Sequence, residues 1–277
     1  MRRICVWMLG LAMAILAGCQ STGPRVAITS QQADSLGLSL TGKIAAAQGG
    51  DLFLVTGNGL ARYNPKQNRI EDILNDPCQD IRDIALTPDG VLLVLRPRRL
   101  DAWVAGYLVG LYELPADARA VSTGDRYPYV LLYPRQGGQV VRIALLGPDK
   151  GRMETVLWTE DRPSVICAVK GGCLVASGGN VFKVTEPVGP DRSATAVLLV
   201  AIPEGITSMA VDQDRLILYL ATANVTFAWS KGQVMPVLPF GGDLGLYGET
   251  LSICGHGQVI QLEQASQYVK RTWRSLR

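Results

Sequence analysis

The amino-acid sequence predicts an all-β fold, and more closely a six-bladed β-propeller, on two observations. Thirty glycines and fifteen prolines among 277 residues indicate frequent tight turns instead of long helices. Short apolar segments separated by such turns recur roughly every 40 residues, a spacing typical of propeller blades. A β-sandwich is the alternative, because its short strands are also regularly spaced. The apolar content of 48%, against 18% charged residues, excludes a disordered chain.

The first nineteen residues carry a targeting signal. Arg2 and Arg3 precede an apolar run at residues 4–16, which is too short to span a bilayer and ends in Leu16-Ala17-Gly18-Cys19. This arrangement resembles the signal peptide and lipobox of bacterial lipoproteins. The resemblance implies cleavage before Cys19, lipidation of Cys19 and, because Gln20 follows, an outer-membrane location on the periplasmic side. The alternative is an ordinary secretory signal with a chance cysteine.

These features divide the chain into a signal peptide at residues 1–18, a lipidated tether at 19–41 and a propeller domain at 42–277. The tether is rich in Ser, Gln and Thr and has few large apolar residues. Removing the signal peptide takes two arginines from 27 basic residues, which leaves 25 against 24 acidic residues and a formal charge of +1. A nucleic-acid partner is not expected at this charge.

Six copies of one pattern follow residue 42. Each copy has a short apolar segment, a tight turn, a strongly apolar strand, a second tight turn and an alternating strand. The strongly apolar strands are predicted at residues 52–56, 91–95, 129–133, 173–177, 216–220 and 250–254. Outer strands are predicted at residues 70–74, 154–158, 197–201, 234–238 and 268–273. The stretches IALTPDGVLLVL and MAVDQDRLILYL resemble the inner hairpins of bacterial propeller repeats of the NHL, TolB and PQQ-like kind.

The spacing of two cysteines predicts a disulfide bond. Cys167 and Cys173 flank a three-residue loop at residues 169–171, which would place them opposite each other in a hairpin and within disulfide range. Otherwise both are small buried apolar residues. No pairing is predicted for Cys78 and Cys254, and no zinc site is expected because the chain has a single histidine.

Candidate binding residues lie in the turns between the second and third strands of the copies. In a propeller these turns share one face with the connectors between blades, and here they differ in chemistry from copy to copy. The candidates are Asn58, Arg98, Arg99, Asn180, Asn224 and His256. They favour a protein-binding scaffold in a cell-envelope assembly, such as secretion or outer-membrane biogenesis, with envelope proteins as partners and no cofactor.

No nucleophile elbow, phosphate loop or dinucleotide-binding motif is present, so the main hypothesis is not an enzyme. The alternative is a calcium-dependent hydrolase similar to lactonase-like propellers, with carboxylate and amide oxygens around the ion. Its acidic candidates are Asp76, Asp80, Glu160, Asp161, Glu204 and Asp243, beside the amides Asn58, Asn180 and Asn224.

Two basic clusters have two interpretations. Residues 96–99 and 270–277 could contact anionic lipid or an acidic partner, with Trp273 as an amphipathic anchor in the second cluster. Alternatively, the first cluster is a solvated hairpin tip and the second is an outer strand that runs into the chain end.

Overall fold

The fold is a six-bladed β-propeller, as predicted. The computed structural model of the chain describes residues 23–35, 40–75, 80–124, 127–186 and 194–275. They form six antiparallel four-stranded sheets, each of which is one blade, and this excludes the β-sandwich alternative. The signal peptide, Cys19 and Cys78 lie outside the described residues.

The strands are given by their position in the blade, in the order of blades 1 to 6. The innermost strands are β2 (Leu40–Ala46), β6 (Asp83–Leu86), β10 (Asp117–Thr123), β14 (Val165–Val169), β18 (Ser208–Asp212) and β22 (Asp243–Tyr247). The second strands are β3 (Leu52–Thr56), β7 (Leu92–Arg96), β11 (Pro128–Tyr133), β15 (Gly172–Ser177), β19 (Ile217–Ala221) and β23 (Thr250–Gly255). The third strands are β4 (Gly59–Asn64), β8 (Arg99–Val104), β12 (Gly138–Ile143), β16 (Asn180–Thr185), β20 (Thr226–Ser230) and β24 (Gln258–Leu262). The outermost strands are β5 (Arg69–Asn75), β9 (Tyr107–Glu113), β13 (Met153–Thr159), β17 (Thr195–Ala201), β21 (Gln233–Leu238) and β1 (Pro24–Ile28).

The inner strands are mainly apolar and buried because neighbouring blades cover both of their faces. All five residues of β19 are buried, whereas Val200 is the one buried residue of β17. The apolar cores lie between blades: Leu93 and Leu95 of blade 2 pack with Val130 and Leu132 of blade 3. Each innermost strand contacts the innermost strands of both neighbouring blades, which closes the ring around the axis.

The sequence pattern missed β9 as an outer strand. It follows β8 through a two-residue turn in which both Ala105 and Gly106 have positive φ angles, of 50° and 90°. A turn with two positive φ angles favours Gly, Asn or Asp, and alanine hides that signal.

Blade 6 is closed by both ends of the chain. Its strand order is β1-β24-β23-β22, so β1 supplies the outermost strand. Pro24 pairs with Leu262, and Ile28 pairs with Val259. The prediction of a tether over residues 19–41 is therefore wrong for residues 24–28, and helix α1 (Ser30–Ser35) follows them. The composition of residues 19–41 does not reveal β1, because this strand is only five residues long.

The outer strand predicted at residues 268–273 is wrong, because helix α2 (Ala265–Ser275) occupies that part of the chain. With β1 already paired to β24, the chain after Leu262 cannot turn back and pair with β24 as the outermost strand of blade 6. The helix instead buries Ala265, Ser266 and Val269 on one side, as its helical period allows. None of the helices in the described residues is both long and apolar enough to cross a membrane.

The predicted bridge between Cys167 and Cys173 is also wrong. A two-residue turn of Lys170 and Gly171 joins β14 to β15, so Cys173 lies opposite Ala168. This one-residue offset puts the two cysteine side chains on opposite faces of the sheet, against blades 5 and 3 respectively. Both thiols are free, and burial raises the pKa of each to about 12.

Candidate functional site

The strand order defines two faces of the propeller. The connector face carries the turns between second and third strands and the connectors between blades. The helix face, at the opposite end of the strands, carries the other turns and α2. Strand β24 begins at the connector-face turn that contains His256 and ends at the helix face, where α2 follows it. All six predicted binding residues lie in or beside second-to-third turns and thus on the connector face.

The connector face brings together the turns of blades 5 and 6. His256 Nε2 donates a hydrogen bond to the carbonyl oxygen of Ala223 at 3.0 Å, beside the exposed Asn224. The His256 ring also meets Phe240 edge-on, with a centroid separation of 5.6 Å. Asn58 and Asn180 are exposed in the turns of other blades. The histidine therefore links two turns instead of standing free in solvent.

The two predicted arginines of blade 2 differ in their surroundings. Arg99 Nε lies 2.7 Å from Asp101 Oδ1, and Arg96 Nε lies 3.0 Å from Asp101 Oδ2. Asp101 has no exposed side-chain surface, so Arg99 neutralises a buried charge. The side chain of Arg98 is 69% exposed and lies 3.7 Å from Asp117. Arg99 thus compensates a buried carboxylate, whereas Arg98 is the more exposed of the two, and both stay predicted residues of the binding face.

The innermost strands surround a central channel with a cavity of about 270 Å³. Three charged side chains of three blades meet at its connector-face end. Lys43 Nζ lies 3.4 Å from Asp83 Oδ1 and 3.6 Å from Asp243 Oδ1. Lys43 precedes the first buried residue of β2, while Asp83 and Asp243 begin β6 and β22. The closed ring of innermost strands brings these positions together.

The two aspartates also join neighbouring blades. Asp83 Oδ2 accepts a hydrogen bond from the backbone N–H of Val121 at 2.9 Å, and Asp243 makes the equivalent contact from blade 6 to blade 1. In blade 5, Ser208 Oγ takes this role and accepts from Leu244 N at 3.0 Å. These side chains form hydrogen bonds between the innermost strands of neighbouring blades, which belong to different sheets. They join blade 5 to blade 6, blade 6 to blade 1 and blade 2 to blade 3 along the channel wall.

The charges in the channel wall are strongly coupled. Burial favours the neutral amine of Lys43, but the facing carboxylates of Asp243 and Asp83 outweigh it and hold the pKa of Lys43 above its ordinary value. Burial raises the pKa of Asp83, and the nearby ammonium offsets part of that shift. Lys43 is therefore the cation that compensates two carboxylates in the channel wall.

Among the described residues, the acidic candidates do not gather into the calcium site of the alternative hypothesis. Calcium requires about six to eight oxygen ligands. Among the described residues, no group of three or more His, Cys, Asp or Glu side chains could hold a metal ion. Asp243 faces Lys43, and Asp80 lies 2.9 Å from Arg82. Of the remaining acidic candidates, Glu160, Asp161 and Glu204 are exposed on connectors, and Asp76 lies outside the described residues.

A second candidate surface is the outer strand of blade 4. β17 is paired on one side only, and Val197 and Leu198 are 62% and 55% exposed. Its sequence, TAVLLVA, has neither a charged residue nor a proline. Each of the other five outer strands contains at least one charged residue or proline, as in Arg69, Glu71 and Asp72 of β5 or Pro236 of β21. Charge and proline hinder strand addition at an exposed edge, and β17 lacks both.

Comparison with known proteins shows likeness in fold. No protein-family model matches the chain, and no curated protein sequence matches it. Among solved structures, a gluconolactonase from Xanthomonas campestris is 15% identical, with a TM-score of 0.66 over 89% of this chain and 96% of that one. A calcium-binding protein, regucalcin, from Agrobacterium tumefaciens is 13% identical, with a TM-score of 0.59 over 81% and 90% of the two chains. A virginiamycin B lyase from Staphylococcus aureus is 16% identical, with a TM-score of 0.53 over 79% and 78%.

Proposed function

We propose that this chain is a lipid-anchored, non-enzymatic propeller that binds an envelope protein through the free edge of β17. The observation that carries the proposal is the uncharged, proline-free edge of this strand, with Val197 and Leu198 exposed. An extended segment of a partner can add to such an edge through main-chain hydrogen bonds, and alternate apolar side chains then give specificity. The partner segment is therefore expected to be an apolar β-strand.

Replacing Leu198 with lysine tests this edge. A photo-crosslinking residue at Thr195 should give one main adduct with an envelope protein in intact cells. Leu198→Lys should reduce that adduct at least tenfold, because a charged side chain would be buried by the added strand. The melting temperature should stay the same, since an exposed substitution changes stability by about 0.5 kcal/mol or less.

Val234→Lys is the matched control. Val234 is an exposed valine on β21, where Pro236 removes a backbone donor and α2 packs nearby. This control should leave the adduct unchanged. If Leu198→Lys keeps full crosslinking, the β17 edge is not the binding surface.

Lipidation is tested at Cys19. The Leu16-Ala17-Gly18-Cys19 run supports the anchor, and acyl chains that bury many methylene groups hold a protein on a membrane. We expect Cys19→Ser to move the protein from the membrane pellet to the soluble fraction at high salt, which screens purely electrostatic attachment, and to remove the acyl mass. A variant that pellets as before with unchanged mass would refute the anchor.

A calcium-dependent hydrolase is the second candidate. The comparisons favour it over the scaffold, because two of the similar structures are a gluconolactonase and a calcium-binding protein. The channel chemistry opposes it, because Lys43 takes the position between Asp83 and Asp243. This candidate requires calcium to raise the melting temperature and to support lactone hydrolysis that Asn180→Ala abolishes.

A further inference from the structure

The helix face carries a cationic pocket between α2 and blade 5. Its cavity has a volume of about 580 Å³. The charged side chains of its lining are those of Asp214, Arg215, Lys231, Lys270 and Arg274. Four of these five are basic, so the pocket attracts anions.

Three of the four basic side chains of this pocket form no ion pair among the described residues. Arg215 is the exception, because it pairs with Asp212 at 3.2 Å and with Glu249. Lys231, Lys270 and Arg274 form no ion pair among the described residues. The lining itself carries four basic side chains and one acidic side chain, a net charge of +3, and the flanking Asp212 and Glu249 reduce the local net charge to +1. A net charge of this sign favours an anionic ligand.

Apolar side chains lie beside these cations. Leu216 is 74% exposed and has a φ of 54°, which is unusual for a leucine. It stands in the turn between β18 and β19, next to the pocket residue Arg215. Trp273 lines the same pocket from α2 and is half-buried against the apolar core of blades 5 and 6. Cations next to an exposed leucine and a tryptophan match the headgroup and acyl boundary of a membrane.

The start of β1 identifies which face is nearest the anchor. Pro24 pairs with Leu262, so it lies at the helix-face end of blade 6, and Arg25 forms an ion pair with Glu263 at 2.8 Å. Cys19 precedes Pro24 by five residues, a length that spans at most about 18 Å. A lipid on Cys19 would therefore hold the helix face close to the bilayer.

We propose that the pocket under α2 binds anionic phospholipid headgroups and orients the propeller with its helix face on the membrane. The connector face then points away from the bilayer. This inference rests on the proposed function in one respect, namely the anchor that brings the helix face to the membrane. The headgroup site itself is a property of the folded domain and is testable without the lipid.

Vesicle binding of an acyl-free chain tests the site. The mature-length chain, residues 19–277 with Cys19→Ser, keeps all the described strands and both helices. It should partition onto phosphatidylcholine vesicles that contain about a third phosphatidylglycerol and not onto pure phosphatidylcholine. Each cation near such a surface contributes roughly fivefold to the partition coefficient, so Lys270→Gln/Arg274→Gln should reduce binding about 30-fold.

The control is Arg98→Gln/Arg135→Gln, which removes the same charge from two exposed turns of the connector face. It should bind the anionic vesicles like the parent. Equal losses for the two double variants, or no preference for anionic vesicles, would overturn the proposal. Binding of soluble polyglutamate without partition onto vesicles would assign the pocket to an acidic protein and overturn it as well. Retention of Cys19→Ser in the cell-membrane pellet after a high-salt wash would count against the anchor and leave the vesicle result independent.

Discussion

Replacing Lys43 with methionine is expected to destabilise the propeller by about 3–5 kcal/mol at neutral pH, which corresponds to a fall in melting temperature of roughly 10 °C. Methionine keeps the length of the side chain but removes the ammonium that faces Asp83 and Asp243. The two carboxylates would then repel each other in a buried place without a counter-charge. Thermal unfolding followed by circular dichroism measures the change.

The loss of folding stability caused by Lys43→Met should become smaller as the pH falls. The pKa of Asp83 is already raised by burial, and loss of the ammonium raises it further. A carboxyl with a raised folded-state pKa favours the folded state below its unfolded pKa of about 4, and this contribution is lost as pH rises through the folded value. The difference from the parent should therefore be largest near pH 7 to 8 and smallest near pH 4.

Lys66→Met is the control for this variant. Lys66 is exposed in a turn of blade 1, so its replacement should change stability by about 0.5 kcal/mol or less. Equal melting temperatures for Lys43→Met and Lys66→Met, with the same pH dependence, would show that the ammonium does not compensate the channel carboxylates.

Reversing the charge at Arg99 should cost about 3 kcal/mol of folding stability. Arg99→Glu would place a carboxylate next to that of Asp101, whose side chain is fully buried. Two features keep the cost at the low end for a broken buried pair: the Arg99 side chain is 39% exposed, and Arg96 still faces Asp101. Chemical denaturation at neutral pH measures the loss.

The neighbouring residue supplies a matched control. Arg98→Glu makes the same change one position earlier, at a side chain that is 69% exposed. It should alter stability by about 0.5 kcal/mol or less. If both reversals leave the unfolding midpoint unchanged, Arg99 does not stabilise Asp101.

Sequence pattern predicted the blades because the information for a hairpin is local. A turn residue and the alternation of apolar side chains on either side define two neighbouring strands, and this is repeated six times. The secondary structure at the two chain ends, in contrast, depends on contacts between residues that are far apart in the sequence. Whether residues 268–273 form a strand depends on whether β24 still has a free edge, and β1 takes that edge from the other end of the sequence.

The channel charges were missed for a related reason. Lys43, Asp83 and Asp243 belong to three blades, and each looks like an ordinary polar residue at the start of a strand. Only an alignment of the innermost strands on their first buried apolar residue, which is Ile44, Ile84 or Leu244, places the three at the same level. The ion pair of Arg99 was missed because the burial of Asp101, two residues further on, is set by the packing of blade 2 against its neighbours.

Closure by β1 also has a kinetic consequence. Pro24 and its partner Leu262 are separated by 262 − 24 = 238 positions, so the last blade cannot be completed until almost the whole chain has been made. Contacts of such long range are formed late and slow down folding. Until they form, β24 presents an open edge that can pair with other chains. The segment at residues 24–28, which precedes the repeats, thus completes the last blade of the ring. Deleting it should lead to aggregation rather than to a shorter propeller.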